Sequence, residues 1–239
     1  MHQIPLDLAG PPRFGADDYL VAAANQDAFE AVGHWPVWPG HVLVLVGPEG
    51  AGKSHLGAIW ADRARAAIVT GAGLAATPPE LFGRRDVLVE DADRLGADEA
   101  ALFHRLNLLR ENGRAALLTA RTAPDNWGLR TADLLSRLRL APLVRLGEPD
   151  EAFVQAVLLK LFADRQLSID APVLAFLSRH MERSLGAARR LVAALDHASL
   201  AEGRRITRTV AAAVLASLEA RDASGHGVVT GLGHNPADP

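Results

Sequence analysis

The run Val42-Leu43-Val44-Leu45-Val46, followed by Gly47-Pro48-Glu49-Gly50-Ala51-Gly52-Lys53-Ser54, constrains this chain more than any other stretch. Five consecutive apolar residues read as a strand buried on both faces, the signature of a parallel sheet. The run ends in G-x-x-x-x-G-K-S, the phosphate-binding P-loop pattern. Gly47, Gly50 and Gly52 let the backbone turn tightly and bring its N–H groups against phosphate oxygens. The helix that opens near Lys53 aims its positive dipole end at the same place. Lys53 supplies a point charge for the β- and γ-phosphates, and the Ser54 hydroxyl supplies a ligand for Mg²⁺. The sequence therefore predicts a nucleotide-binding segment from Gly47 through Pro48, Glu49, Gly50, Ala51, Gly52, Lys53 and Ser54 to His55, with ADP or ATP and Mg as cofactors. Lys160 is the only other lysine, so Lys53 is not background composition.

A chain of 239 residues, 49% hydrophobic, suffices for an α/β domain and a smaller second one. With a net charge of −3 it carries no global basic signature for nucleic acid. It has no cysteine, which excludes disulfides and thiolate metal sites and fits a cytoplasmic location. Asp7, Arg13, Asp17 and Asp18 argue against a signal peptide, and no apolar run reaches membrane-spanning length. The histidines show no metal-binding spacing.

Residues 1–13 are proline-rich, and Pro5 keeps them extended. Ile4, Leu6 and Leu8 then share one side, so Gln3, Ile4, Pro5, Leu6 and Leu8 form either a frayed end or a peptide that docks on a partner. Asp17 to Val32 reads as a helix. Trp35 and Trp38 follow in a loop, as base-pocket walls or as packed aromatics. Ser54 to Ala66 continues the P-loop as a helix, and Ala67 to Thr70 is a second strand. Gly71 to Arg85 looks irregular. Val87 to Val89 is a third strand that runs into Glu90-Asp91-Ala92-Asp93. An acid at the carboxyl end of such a strand lies at the ligand edge of an open α/β sheet and can hold Mg²⁺ through water, the Walker-B role. Asp98 to Glu111 is a helix with Leu102, Phe103, Leu106 and Leu109 on one face. Ala115 to Thr119 is a fourth strand, Leu129 to Arg139 a helix and Leu143 to Leu146 a fifth strand. Strands alternating with helices predict a five-stranded parallel sheet over residues 14–147. After Gly147 no strand appears. Four helices ending near Ala220 make a small helical domain over 148–220, and the Gly-, His- and Pro-rich segment 221–239 reads as a disordered tail.

A P-loop, a Walker-B strand, two further strands and a helical lid resemble an AAA+ ATPase core. Gly47 to Leu56 (GPEGAGKSHL), Asp133 to Leu138 (DLLSRL) and Ala188 to Asp196 (ARRLVAALD) look like the ATPase domain of the DnaA family. That family continues beyond the lid into a helix-turn-helix domain, whereas this sequence carries only the short tail. Its Gln3 to Leu8 (QIPLDL) looks like the sliding-clamp peptide of the Hda family of DnaA-inactivating proteins, and the resemblance is carried to that family.

The resemblance implies roles one residue at a time. Lys53 and Ser54 match the Walker-A pair, and Asp91 matches the Walker-B magnesium residue. Ala92 then falls where an active AAA+ ATPase carries its second acid, which implies weak intrinsic hydrolysis; Glu90 with Asp91 is the other possible frame. Thr119 or a neighbour is the sensor on the fourth strand, with Arg121 where the family has an acid. Arg189 matches the sensor-2 arginine, and Arg137 the arginine finger that acts in trans on a partner's nucleotide. The implied partners are the initiator DnaA and the β sliding clamp of DNA polymerase III, with DNA reached mainly through the clamp and no membrane; a homodimer is left open. Two other functions stay open: a self-hydrolysing helicase loader of the DnaC or IstB type, and a nucleotide-locked adaptor without catalysis.

Overall fold

The computed structural model of the chain describes residues 19–95, 99–202 and 205–225. The expected clamp peptide at residues 3–8 and the end of the expected tail lie outside them. The described chain divides into two compact units. One holds the residues up to Phe153 together with Arg183–Gly186, and the other holds Val154–Glu182 and the residues from Ala187 on.

The first unit is built on the expected parallel sheet. Its strands are β1 (Val42–Val46), β2 (Ala67–Thr70), β3 (Val87–Glu90), β4 (Ala116–Ala120) and β5 (Leu143–Arg145), in the spatial order β2-β3-β4-β1-β5. β1 and β4 bury every residue because both faces of the sheet are covered. Side chains alternate between faces, so Val42, Val44 and Val46 join one core while Leu43 and Leu45 join the other. Against the first face pack α3 (Glu80–Arg84), α4 (Glu99–Glu111) and α5 (Ala132–Leu140), through Phe82, Leu102, Leu106, Leu109, Leu134 and Leu138. Against the second face pack α1 (Gln26–Gly33) and α2 (Lys53–Ala64), through Ala28, Val32, Leu56 and Trp60.

Three local features differ from the sequence expectation. The first helix starts at Gln26 rather than Asp17. Before it, the Asn25 side chain accepts a hydrogen bond from the Ala22 amide and donates one to the Leu20 carbonyl, closing a turn that competes with helix. Within the stretch expected to be irregular, Pro78 and Pro79 lead into α3, since proline suits the first turn of a helix. Trp35 and Trp38 are packed aromatics. Both rings lie against Trp60, with centroids 6.5 and 5.2 Å away, and the Trp38 indole donates to the Ala31 carbonyl.

The second unit is helical. It comprises α6 (Glu151–Asp164) from Val154 on, α7 (Ala171–His180), α8 (Leu185–Glu202) from Ala187 on and α9 (Arg208–Gly225). Leu158, Phe162, Leu177, Leu191, Val192 and Leu195 form its core. Pro172 stands in the first turn of α7, and the Thr207 hydroxyl accepts the Val210 amide at the start of α9. α9 runs to Gly225, past the expected end at Ala220, so the segment expected to be tail from 221 begins as helix.

Candidate functional site

Central strands that begin together also end together, and their carboxyl ends converge at one edge of the sheet. There the chain leaves β1 as the loop Gly47–Gly52 and enters α2 at Lys53. Gly50 and Gly52 take φ values of +76° and +101°, a region that side chains with a Cβ rarely adopt. A Cβ on Gly50 would also lie 2.1 Å from the Ser184 Cβ, and one on Gly52 would lie 2.9 Å from a Leu185 methyl. The Leu185 amide donates to the Gly50 carbonyl at 3.0 Å. The segment Arg183–Gly186, which sequence reading did not single out, therefore rests on the loop.

Lys53 is buried, and its ammonium donates to the carbonyls of Gly47 (2.8 Å) and Pro48 (2.7 Å). Burial holds its pKa below the ordinary lysine value; Asp91 and then Asp93 act in the opposite direction, and Arg121 adds to the lowering. Ser54 is exposed at the same helix start, and His55 is buried with its ring edge-on to Tyr19, centroids 5.3 Å apart. Burial pushes the Tyr19 phenol up to about 12.

The acidic stretch follows β3. Glu90 closes the strand, and Asp91 turns out of it with φ +49° and ψ +49°. The Asp91 amide donates to the Thr119 hydroxyl (3.2 Å) at the end of β4, and its carboxylate stands 3.9 Å from Arg94. The structure thus brings Lys53, Asp91 and Thr119 together. It also brings in Asp93, whose carboxylate accepts the Arg121 amide at 3.0 Å. Two acids spaced i, i+2 around a small buried residue were the available signal for Asp93. Asp86 has a different task. Its buried carboxylate accepts the Ala115 amide and the Trp35 indole, tying the entrance of β4 to the loop before β1.

Arg137 stands elsewhere in the same unit. It lies on α5, with its guanidinium over the Phe103 ring at 5.1 Å and donating to the Asn107 side-chain amide oxygen. It lines a groove of about 410 Å³ with Pro39, Val42, Leu106, Arg110 and Leu140. Burial and then Arg110 lower its pKa, while Asp133 raises it. Val42 opens β1 and the P-loop follows its other end. At about 3.3 Å per residue, the five residues of β1 hold the groove roughly 15 Å from the loop. Arg189 is half-buried on α8, in the helical unit.

A P-loop after β1, which lies between β4 and β5 in a β2-β3-β4-β1-β5 parallel sheet, with helices following in the chain, is the arrangement of an AAA+ fold. Domain III of the Thermotoga maritima replication initiation protein DnaA is similar, with a TM-score of 0.76 at 18% identity over 87% of this chain and 97% of that one. AMPPCP-bound DnaA from Aquifex aeolicus gives 0.63 at 17% identity, over 72% of this chain and 61% of that one. A Thermotoga maritima RuvB variant gives 0.60 at 18% identity, over 81% of this chain and 67% of that one. No curated protein matches the sequence. Residues 151–215 match the family model of the Hda lid domain. The chain is thus similar to the Hda lid over residues 151–215 and shares the fold of DnaA domain III. Among the described residues no helix is long and apolar enough to cross a membrane.

Proposed function

We propose that this protein is a nucleotide-dependent negative regulator of replication initiation. It binds ADP or ATP with Mg²⁺, sits on the polymerase sliding clamp through Gln3, Ile4, Pro5, Leu6 and Leu8, and stimulates ATP hydrolysis by DnaA in trans. The observation that carries this reading is the position of Arg137. Held at the opposite end of β1 from its own P-loop, its guanidinium lines a surface groove rather than the nucleotide loop.

The P-loop residues fit a nucleotide. Two of their glycines, Gly50 and Gly52, take the positive φ values that a phosphate-cradling turn uses. Lys53 is already drawn over that turn by two carbonyls, and phosphate oxygens are stronger acceptors for the same ammonium. Ser54 and Asp91 would hold the metal, Asp91 through water, and the dication would neutralise phosphate charge. Arg189 carries the second-cation role that the family resemblance implies. Arg137 would place its planar fork against the partner's γ-phosphoryl group, where charge grows during transfer.

DnaA-ATP hydrolysis measured with the purified protein, with and without clamp loaded on DNA, tests this reading. Stimulation that depends on loaded clamp is expected. An unchanged rate of DnaA-ATP turnover would leave a nucleotide-locked adaptor as the better description, and vigorous ATPase of the isolated protein would favour a helicase loader.

A further inference from the structure

Ala92 occupies the position next to Asp91, and it is fully buried in the core beneath the sheet, beside Val89 and Leu118. A carboxylate at that position would lose its hydration without gaining a partner. The chain instead makes a short 3-10 turn over Ala92–Arg94, closed by the Arg94 amide on the Asp91 carbonyl at 2.9 Å. That turn brings the next acid, Asp93, back beside the end of β4. One of its oxygens, Oδ2, accepts the Arg121 amide. The other, Oδ1, is shut off from solvent and has no hydrogen-bond partner among the described residues. A buried carboxylate oxygen left without a donor is costly and marks a place where something else supplies one.

The neighbours say what that is. The Arg121 amide that holds Asp93 follows Ala120, whose carbonyl accepts the Gly47 amide at 3.2 Å, so Asp93 is anchored at the end of β4 beside the start of the P-loop. Among the described residues no group of three acid or imidazole side chains could hold a metal unaided. A hard dication that keeps several waters and uses one or two carboxylates plus phosphate oxygens suits such a place.

We propose that Asp93 is the second acid of the nucleotide site, with its Oδ1 accepting a hydrogen bond from a water of the Mg²⁺ that arrives with the nucleotide. The residue pair is then Asp91 and Asp93 rather than two adjacent acids. The 3-10 turn gives the separation, and the Arg121 amide fixes the second carboxylate. This rests on the P-loop reading above.

The experiment is ADP affinity of the full chain by calorimetry, with Mg²⁺ and with excess EDTA, for wild type, Asp93→Asn and Asp93→Glu. Asparagine keeps an oxygen for the Arg121 amide, and an unchanged melting temperature without ligand verifies that the turn survives. With Mg²⁺, Asp93→Asn should bind about 10–100-fold more weakly than wild type, as loss of a partner to a metal ligand does. In EDTA the difference should vanish or reverse, because a negative charge near the phosphates has been removed. Asp93→Glu should recover part of the Mg²⁺ dependence. The same Mg²⁺ dependence in Asp93→Asn and wild type overturns the proposal. So does an equal loss with and without Mg²⁺, which assigns Asp93 to holding the turn alone. Failure of the P-loop reading looks different: wild type itself then binds no ADP under either condition.

Discussion

The Lys53 ammonium stands 2.8 Å from the Gly47 carbonyl oxygen, so the loop's own backbone accepts the cation that would face a phosphate. Lys53→Ala should abolish ADP and ATP binding. A ligand held only by the folded state raises its melting temperature, so wild type should melt higher with ADP and the variant should not. The pH dependence has a defined sign. Burial lowers the Lys53 pKa in the free protein, and phosphate charge would raise it again. Binding should therefore take up protons as pH rises toward that lowered value, and affinity should fall above it. Calorimetry in two buffers of different protonation enthalpy reads the uptake. The free protein should behave oppositely. Between the lowered native value and the unfolded one it holds fewer protons than the unfolded chain, so its stability rises with pH there.

Gly71 is fixed by a close approach. Its amide donates to the Glu90 carbonyl at 2.7 Å, and a Cβ would stand 2.3 Å from the Asp91 carbonyl oxygen. Backbone has to move to relieve that contact, so Gly71→Ala should cost about 1–3 kcal/mol of stability. It should also weaken Mg²⁺-dependent nucleotide binding by displacing Asp91. Urea unfolding and ADP titration measure the two effects, and wild-type values in both would mean that the loop yields without moving Asp91.

The sheet was legible because buried parallel strands are written as continuous apolar runs, and Val42–Val46 ends in a motif whose backbone requirements are strict. The edges of elements were less legible. The Asn25 turn depends on a side chain bonding its own backbone, and Ala22 could equally have continued a helix. Periodicity cannot report contacts between distant segments. The Asp91 amide meets Thr119 only because β3 and β4 are neighbours, and Asp93 meets the Arg121 amide for the same reason. The Trp35 side chain read as a possible base wall until its bond to Asp86 and its packing on Trp60 accounted for it.

Glu99 gives a second pH-dependent prediction. Its carboxylate accepts the Arg130 amide at 2.9 Å and the Thr131 amide at 2.7 Å, tying the start of α4 to the start of α5. The Arg130 amide first, and Thr131 second, hold its pKa below the usual carboxylate range. Stability from a lowered carboxylate is present above its unfolded pKa and is lost as pH falls through the folded value. Glu99→Gln should therefore be less stable than wild type near neutrality, by no more than about 1 kcal/mol because solvent screens the group. The difference should close in acid. Thermal melts at a series of pH values test this, and a gap that widens in acid would contradict the assignment.

The proposed clamp peptide makes a prediction from residue types alone. An extended segment has few anchors, and apolar ones carry most of its contact energy. Replacing Gln3, Leu6 and Leu8 with alanine should weaken binding to immobilised clamp by at least about 30-fold. ADP should still shift the melting temperature as in wild type. Undiminished clamp binding would remove residues 3–8 from the function.

Arg137 carries the sharpest test of the trans-acting mechanism. Its guanidinium is pre-positioned by the Phe103 ring and by Asn107, and it shares a groove with Arg110 at the far end of β1 from the P-loop. A surface arginine of ordinary structural value contributes about 0–1 kcal/mol, whereas a finger on a transferring phosphoryl group is worth roughly 10³–10⁵ in rate. Arg137→Ala should therefore fold, bind ADP and bind clamp, yet lose nearly all stimulation of DnaA-ATP hydrolysis. Arg137→Lys should fail almost as badly, since a point charge cannot reproduce a planar fork that stacks on Phe103 while reaching phosphate. The lysine variant separates this mechanism from simple charge attraction, which lysine would restore. If Arg137→Ala stimulates as well as wild type, the arginine that meets the partner's nucleotide is another one, and Arg110 is the next to replace because it lines the same groove.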